Sequence, residues 1–272
     1  MTPPACLAVS WLLWGCSGAD DPSAPCPEGM VRVSGGEHVL GEGALPVRPP
    51  VEPTAVIRRA SFRTEPFCID VHPFPGAAGH PWPLDGLDVG TARALDRRLA
   101  AFGRRLCSVS ELLFASAGPD NWRYPYDPGE WRDGACDPDD SRPRPIGSFP
   151  SCTSPLGIAD VGVRSSWARL DPPMRDHLVA YGAPTRPAFM GGGLPSDLEY
   201  AVYGGASRRD TFYSPDNYGV HSHGSDEEPF SDDTTRVCRD PGPVDPEAER
   251  RYREWLSTWP DSPTFSWLLT VE

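Results

Sequence analysis

The 272-residue chain contains no lysine, so all 25 of its basic side chains are arginine, against 38 acidic side chains and a net charge of −13. Proteins that bind nucleic acids owe their affinity to clustered basic side chains that neutralise phosphates. The acidic balance therefore argues against nucleic acid as a partner. The missing lysine by itself indicates only a coding bias toward arginine.

Long regular segments are also scarce. The 34 prolines and 27 glycines together make up about 22% of the chain, a content that excludes a helical bundle or coiled coil and favours a loop-rich fold. The chain is nevertheless 39% apolar and 10% aromatic, with nine tryptophans. This is enough apolar surface for one substantial core, so the composition predicts a folded domain.

An apolar run over residues 6–14 has the length of a signal-peptide core and is too short to span a bilayer. It ends in Leu13-Trp14-Gly15-Cys16, which resembles a bacterial lipobox, where the cysteine is acylated and becomes the first mature residue. No basic residue precedes the run, and Trp14 is bulky for its position, so a buried N-terminal strand is the alternative.

We therefore expect a signal peptide over residues 1–15, lipidation at Cys16 and a polar tether over residues 16–25. The protein would then be exported and held in the bacterial cell envelope as a lipoprotein. It would face the periplasm or the cell surface, and its lipid anchor would make the membrane a partner.

Six cysteines follow Cys16, an even number that predicts three disulfides in an oxidising compartment. Fifteen pairings are open at this point. Zinc binding is the competing use, but no two of these cysteines have the two-residue spacing of a zinc knuckle. The six are Cys26, Cys68, Cys107, Cys136, Cys152 and Cys238.

The pattern of apolar residues predicts short strands in the first third of the domain and helices after it. Residues 26–41 read as two strands around the turn Gly35-Gly36, and residues 55–57 and 62–71 are again extended. Helical periodicity covers residues 91–102, and Ser108 with Glu111 has the spacing of a capping box that opens a second helix over 109–117.

From residue 118 to 242 few stretches could sustain a helix. A third helix begins at Asp245-Pro246, and residues 265–271 read as a final strand. We expect the helix to pack its aromatic face on the core, rather than on a membrane or a partner. That face carries Tyr252, Trp255, Leu256 and Trp259.

Several short motifs, in a fixed order over residues 26–240, resemble one family. The segments that carry the resemblance are Gly29-Met30-Val31, Phe67-Cys68-Ile69-Asp70, Arg105-Leu106-Cys107, Tyr124-Pro125-Tyr126, Pro145-Ile146-Gly147-Ser148-Phe149-Pro150, Leu156-Gly157-Ile158-Ala159-Asp160-Val161, Met190-Gly191-Gly192-Gly193 and Val237-Cys238-Arg239. With these segments the chain resembles the formylglycine-generating enzyme, or sulfatase-modifying factor, superfamily, whose domain is a variant of the C-type lectin fold.

The resemblance implies a loop-rich α+β domain over residues 26–242, with two short helices, short antiparallel strands and disulfides. Residues 243–272 would form a helix and a strand packed on that domain. The resemblance also orders the cysteines, pairing Cys107 with Cys238, Cys136 with Cys152, and Cys26 with Cys68. Each closed loop would contribute on the order of 3 kcal/mol to the free energy of unfolding.

The chemistry of the family uses a pair of cysteines that bind copper(I) between its last two motifs. Between Gly193 and Val237 this chain has no cysteine, and Cys238 matches a structural cysteine of the family. Because soft thiolates are the ligands that hold copper(I), the resemblance implies a domain without formylglycine-generating activity, and no catalytic residue is assigned.

Two clusters could hold a metal. Where the family has a calcium cage, this chain has Arg164, which would repel the ion, but Asp137 aligns with the start of a second calcium site and Asp139 lies nearby. Calcium is therefore the one cofactor left open, and a solvated acidic loop is the alternative. His221 and His223 with Asp226 could hold zinc or iron(II), and a polar surface loop is the alternative reading.

The working hypothesis is a binding or scaffolding module of the cell envelope that recognises a peptide or glycan. The alternative is a metal-dependent oxidase of the same superfamily, with copper or non-haem iron held by a non-standard residue set. Sequence reasoning places ligand binding at Tyr203, Arg208, Arg209, Tyr213 and Tyr218.

Overall fold

The computed structural model describes residues 25–40, 60–76, 80–84, 87, 89–120, 122, 126, 136, 144–161, 166–181, 199–203, 220–221 and 234–259. Within these residues the fold is α+β, with small, mostly antiparallel sheets and four helices. The strands are β1 (Met30–Val33), β2 (Gly36–Leu40), β3 (Ala60–Thr64), β4 (Phe67–Asp70), β5 (Arg105–Leu106), β6 (Ser166–Arg169), β7 (Tyr200–Tyr203), β8 (Val220–His221), β9 (Thr234–Thr235) and β10 (Val237–Arg239), and the helices are α1 (Val89–Ala100), α2 (Val109–Ala117), α3 (Pro172–Tyr181) and α4 (Pro246–Ser257).

The first four strands form one bent antiparallel ribbon. β1 pairs with β4 and β2 pairs with β3, and the register is continuous across the bend, from Met30 opposite Asp70 to Leu40 opposite Ala60. Gly35 sits at the bend with φ +68°, and a Cβ there would lie 2.5 Å from the carbonyl oxygen of Thr64. Only glycine fits this close approach.

The two strands expected over residues 26–41 are therefore present, but a hairpin between them is wrong. β1 and β2 do not pair with each other. β1 pairs with β4 and β2 pairs with β3, so the Gly35-Gly36 pair carries the chain from one sheet into the next.

A four-stranded sheet in the order β1-β4-β10-β5 forms the centre of the domain, and a second sheet has the order β8-β7-β6-β9. All four residues of β4 are buried, including Phe67 and Ile69. Trp167 of β6 is almost fully buried, and its indole N–H donates to the carbonyl of Leu87 at 2.9 Å.

The helices cover the central sheet. α2 is buried along its whole length and belongs to one apolar cluster with Phe67 and Ile69. The expected capping box is confirmed, since the Ser108 side chain accepts from the backbone N–H of Glu111 and the Glu111 carboxylate accepts from that of Ser108. α1 and α4 share the second cluster, which includes Phe74 and Trp167.

The C-terminal helix begins as expected, with Asp245 as its N-cap and Pro246 in its first turn. Its aromatic face is docked on the core, where Trp259 meets Phe74 edge-on at 5.1 Å between ring centroids. Tyr252 and Leu256 are at most 2% exposed.

Helix α3 is a third helix within residues 26–242, where two short helices were expected. It opens with Pro172 and Pro173 directly after Asp171, whose carbonyl accepts from the backbone N–H of Arg175 at 2.9 Å. Proline is favoured in the first turn of a helix, where its missing N–H costs no hydrogen bond. Met174 alone anchors its first turn in the core, too few contacts to give a periodic signal.

Three disulfides join Cys26 to Cys68, Cys107 to Cys238 and Cys136 to Cys152, the pairs that the family resemblance implied. The first two tie β4 and β10 to neighbouring segments of the central sheet. The expected signal peptide, residues 16–24 of the expected tether and the final strand over 265–271 lie outside the described residues.

Candidate functional site

A polar groove of about 410 Å³ opens after β5, at the end of β6 and the start of β7, beside the Cys107–Cys238 disulfide. Its volume is in the range of pockets that hold small molecules or short chain segments. The backbone of Cys107 fixes the junction, since its N–H donates to the carbonyl of Arg236 and its carbonyl accepts from the N–H of Arg169. The residues that contribute charge to the lining are Arg105, Glu111, Arg169, Asp171, Arg175 and Glu199.

One wall of the groove is a saturated ion-pair network. Arg105 donates to both carboxylate oxygens of Glu111 at 2.7 Å and to Asp240 at 2.9 Å. These carboxylates raise the pKa of the Arg105 guanidinium against the opposing effect of its burial. The fork of Arg105 is therefore occupied by two carboxylates, and Glu111 also caps α2. These contacts make the wall a structural part of the fold.

A second wall joins the starts of α2 and α3. The Asp171 carboxylate accepts from the backbone N–H of Ser110 at 3.1 Å and from its hydroxyl at 2.6 Å. This pair satisfies one of the unpaired N–H groups at the first turn of α2 and positions the segment that leads into α3. Asp171 therefore links the starts of α2 and α3, and its carboxylate is already hydrogen-bonded rather than open to a ligand.

The third wall exposes the charged side chains of Arg169 and Glu199 to solvent, and Asp96 supports it from behind. Asp96, on α1, accepts from the backbone N–H of Leu106 at 2.8 Å and from the Tyr200 hydroxyl at 2.7 Å. Burial first, and then the hydrogen bond to Asp96, raise the pKa of Tyr200, so its hydroxyl is a fixed donor. Arg169 lies 3.5 Å from the same carboxylate and keeps 48% of its side chain exposed.

Glu199 completes this wall with a side chain that is 61% exposed and lies 3.4 Å from Arg93. The groove therefore offers an open guanidinium at Arg169 and an open carboxylate at Glu199, both held by partners behind them. Three arginines and three acidic residues line it. Such a surface suits a polar ligand with both hydrogen-bond donors and acceptors.

A smaller, narrow cavity of about 30 Å³ lies between α2 and residues 144–161, with room for about two waters. Its polar groups are occupied: Asp160 accepts from the backbone N–H of Gly147 at 2.8 Å, and Arg236 donates to the carbonyls of Val71 and Ala159. Its other lining is mainly apolar, with Leu112 and Ile158. The cavity is part of the packing of the core.

Most residues that the sequence singled out lie outside the described part of the chain. Tyr203 and His221 lie within it, on β7 and β8, where Tyr203 pairs with Val220 and His221 with Val202. Within the described ranges, no group of three or more metal-ligating side chains is placed to hold an ion. The residues outside are Cys16, Asp137, Asp139, Arg208, Arg209, Tyr213, Tyr218, His223 and Asp226.

The groove was missed from the sequence, although one signal for it was present. The capping box at Ser108 and Glu111 marks one wall, but the sequence places neither Arg169 nor Glu199 near it. These residues come together through the pairing of β6 with β7 and the hydrogen bond from the N–H of Leu170 to the carbonyl of Glu199 at 2.7 Å. Long-range strand pairing of this kind leaves no local pattern.

No protein-family model and no curated protein matches the sequence. Among solved structures, the chain is similar to PvdO from Pseudomonas aeruginosa, with 15% sequence identity and a TM-score of 0.52 over 78% of this chain and 94% of that chain. In the described residues, none of the helices is long and apolar enough to cross a membrane. The similarity shows that the chain shares its overall fold with PvdO.

Proposed function

We propose that the chain is a formylglycine-generating-enzyme-like domain that binds a peptide or glycan of the cell envelope and does not generate formylglycine. It is exported and anchored through a lipid on Cys16. The observation that carries the binding role is the open polar groove, where Arg169 and Glu199 face solvent at 48% and 61% exposure.

The groove supports binding because partner residues already hold its exposed charged side chains in position. Asp96 holds Arg169 from behind while accepting two shorter hydrogen bonds, so the guanidinium of Arg169 is oriented without being saturated. Pre-oriented polar groups lower the entropy lost on binding. The described part of the groove has Tyr200 as its aromatic residue, which is 7% exposed, so recognition rests on hydrogen bonds and charge.

The sequence between Gly193 and Val237, which contains no cysteine, supports the loss of the family's chemistry. Copper(I) needs soft ligands, and Cys238 is bonded to Cys107. A direct test is incubation of the protein with copper, oxygen and a cysteine-containing peptide, followed by mass spectrometry. We expect no change in peptide mass. Turnover would show that the domain is an oxidase with a different residue set.

Ligand binding can be tested on an array of peptides and envelope glycans with two matched double variants. The test variant is Arg169→Gln with Glu199→Gln, and the control is Arg63→Gln with Glu65→Gln, an exposed pair on and after β3 with side chains 80% and 81% exposed. We expect the test variant to lose at least about tenfold in affinity, a change of about 1.4 kcal/mol, while the control binds like the wild type. Equal binding by both variants would move the ligand site away from the groove.

A further inference from the structure

Helix α1 exposes more positive than negative charge. Its exposed side chains include Arg93, Arg97 and Arg98, and its one acidic residue, Asp96, is 8% exposed and faces the core. Arg93 is paired with Glu199 at the groove. Arg97 and Arg98 form no ion pair with other residues in the described ranges. This surface is basic although the chain carries a net charge of −13.

Helix α4 extends this surface with an arginine and a tryptophan. Trp255 is partly buried, stacks on Phe102 at 5.4 Å between ring centroids and has the Arg98 guanidinium 5.9 Å from its ring. Arg251 precedes Trp255 by one helical turn and is exposed. We call Arg97, Arg98, Arg251 and Trp255 the arginine face. The exposed carboxylates of α4, Glu247 and Glu254, are both held by Arg250.

The first residues of the described domain contact helix α4. Glu28 is 3.1 Å from Arg253 of α4, and Cys26 is bonded to Cys68. Residues 16–25 could span at most roughly 35 Å when fully extended. Because this span exceeds the diameter of a helix, an anchor at Cys16 would keep α4 within reach of the membrane surface.

We propose that the arginine face docks on anionic phospholipid headgroups of the membrane that holds the lipid anchor. This inference rests on the proposed anchoring through Cys16. Arginine side chains near an anionic bilayer each strengthen binding roughly fivefold, and tryptophan favours the boundary between apolar and aqueous regions. Because the anchor already confines the domain, weak binding by the face is sufficient to orient it.

Docking gives the groove a defined direction. Arg93 lies on α1 with the arginine face and contacts Glu199 at the rim of the groove. A domain that rests on α1 and α4 would hold the groove beside the membrane surface, where a ligand attached to the envelope could enter it laterally.

The test is co-sedimentation with vesicles of phosphatidylcholine alone, or of two parts phosphatidylcholine to one part phosphatidylglycerol. The protein is the chain from Ser17 onward, which retains every residue of the described fold. The test variant is Arg97→Glu with Arg98→Glu. The control, Arg63→Glu with Arg144→Glu, changes the net charge equally at exposed positions off the two helices.

We expect wild-type binding to the anionic vesicles alone, at low salt, and at least about a tenfold loss in the test variant with little change in the control. Circular dichroism establishes that both variants fold. Equal losses in the two variants would mean that total charge, rather than the arginine face, governs binding. No wild-type binding to anionic vesicles, or binding to another copy of the chain instead, would overturn the proposal.

Anchoring is measured separately, by mass spectrometry and detergent-phase partitioning of the full chain against Cys16→Ser. A wild-type chain that carries no lipid would contradict the proposed anchor, whereas the vesicle experiment would still decide whether the face binds anionic lipid.

Discussion

At the scale of single residues, Asp70 is a fully buried ionisable group in the central sheet. It ends β4 with no exposed surface, and neither of its carboxylate oxygens accepts a hydrogen bond from the described residues. Arg104 lies 3.8 Å away but donates its short hydrogen bond, at 2.8 Å, to Glu249. Burial raises the pKa of Asp70 to about 7, and the nearby Arg104 and Arg236 offset this effect only in part.

The raised pKa predicts a pH-dependent stability. Between about pH 4 and pH 7 the folded state holds a proton that the unfolded state has lost, so the free energy of unfolding should fall as pH rises through this window. Asp70→Asn removes this contribution. Relative to the wild type, the variant should gain about 2 to 3 kcal/mol between pH 5 and pH 8, measured by urea denaturation with the disulfides intact.

Burial lowers the pKa of His38, which makes the folded state less stable below the ordinary pKa of histidine. Because both proteins contain His38, comparing Asp70→Asn with the wild type isolates the contribution of Asp70. The exposed Asp176→Asn on α3 is the matched control and should follow the wild type at both pH values. A parallel pH dependence for Asp70→Asn and the wild type would contradict the assigned protonation.

At the scale of elements, α2 is buried along its whole length, so the N–H groups of its first turn need acceptors supplied by the protein. Ser108→Ala would remove the side-chain acceptor of the N–H of Glu111. We expect a loss of about 1 kcal/mol in the free energy of unfolding, and a disturbed groove wall, since Glu111 also holds Arg105. Ser257→Ala, at the end of α4, is the control with an exposed hydroxyl.

The measurement is chemical denaturation combined with the binding assay for the groove. If Ser108→Ala and Ser257→Ala have the same stability, the capping box contributes nothing beyond what water supplies at that site.

The elements themselves show which parts of the fold are local. α2 and α4 could be predicted because Ser108 and Asp245 carry their own capping chemistry, and the aromatic face of α4 repeats at helical spacing. α3 could not, since Asp171 and the two prolines that follow signal a turn as readily as a helix. The pairing of β1 with β4 was likewise hidden, because Gly35 permits either a hairpin or a bend.

At the scale of the whole molecule, disulfides take the place of long regular elements. In the chain-entropy model, closing the loop between Cys107 and Cys238, which are 131 residues apart, stabilises the fold by about 5 kcal/mol, against about 3 kcal/mol for Cys136 and Cys152, which are 16 apart. Replacing both cysteines of each pair with alanine should therefore cost about 2 kcal/mol more for the first pair.

The first pair also sits in the apolar core, where both side chains are fully buried. The comparison is made by denaturant unfolding of the two double variants and the wild type. A larger loss for Cys136→Ala with Cys152→Ala would mean that the local loop, rather than chain entropy, sets the contribution of these crosslinks.

The candidate site belongs to this scale as well, and for that reason the sequence did not predict it. Arg105, Arg169 and Glu199 lie in three separate segments that only the two sheets bring together. Composition and the ordered motifs could predict a loop-rich α+β domain with disulfides, because those are properties of the chain. The charge arrangement of the groove is a property of the closed fold.

The central position of β4 has a consequence for the order in which the chain is made. β4 lies between β1, which precedes it, and β10, where Cys238 pairs with Ile69 only after most of the chain has been synthesised. α4, which covers Phe74, follows later still. A nascent chain therefore cannot complete its central sheet until Val237–Arg239 have been synthesised, and until then β4 and β5 lack the strand that joins them.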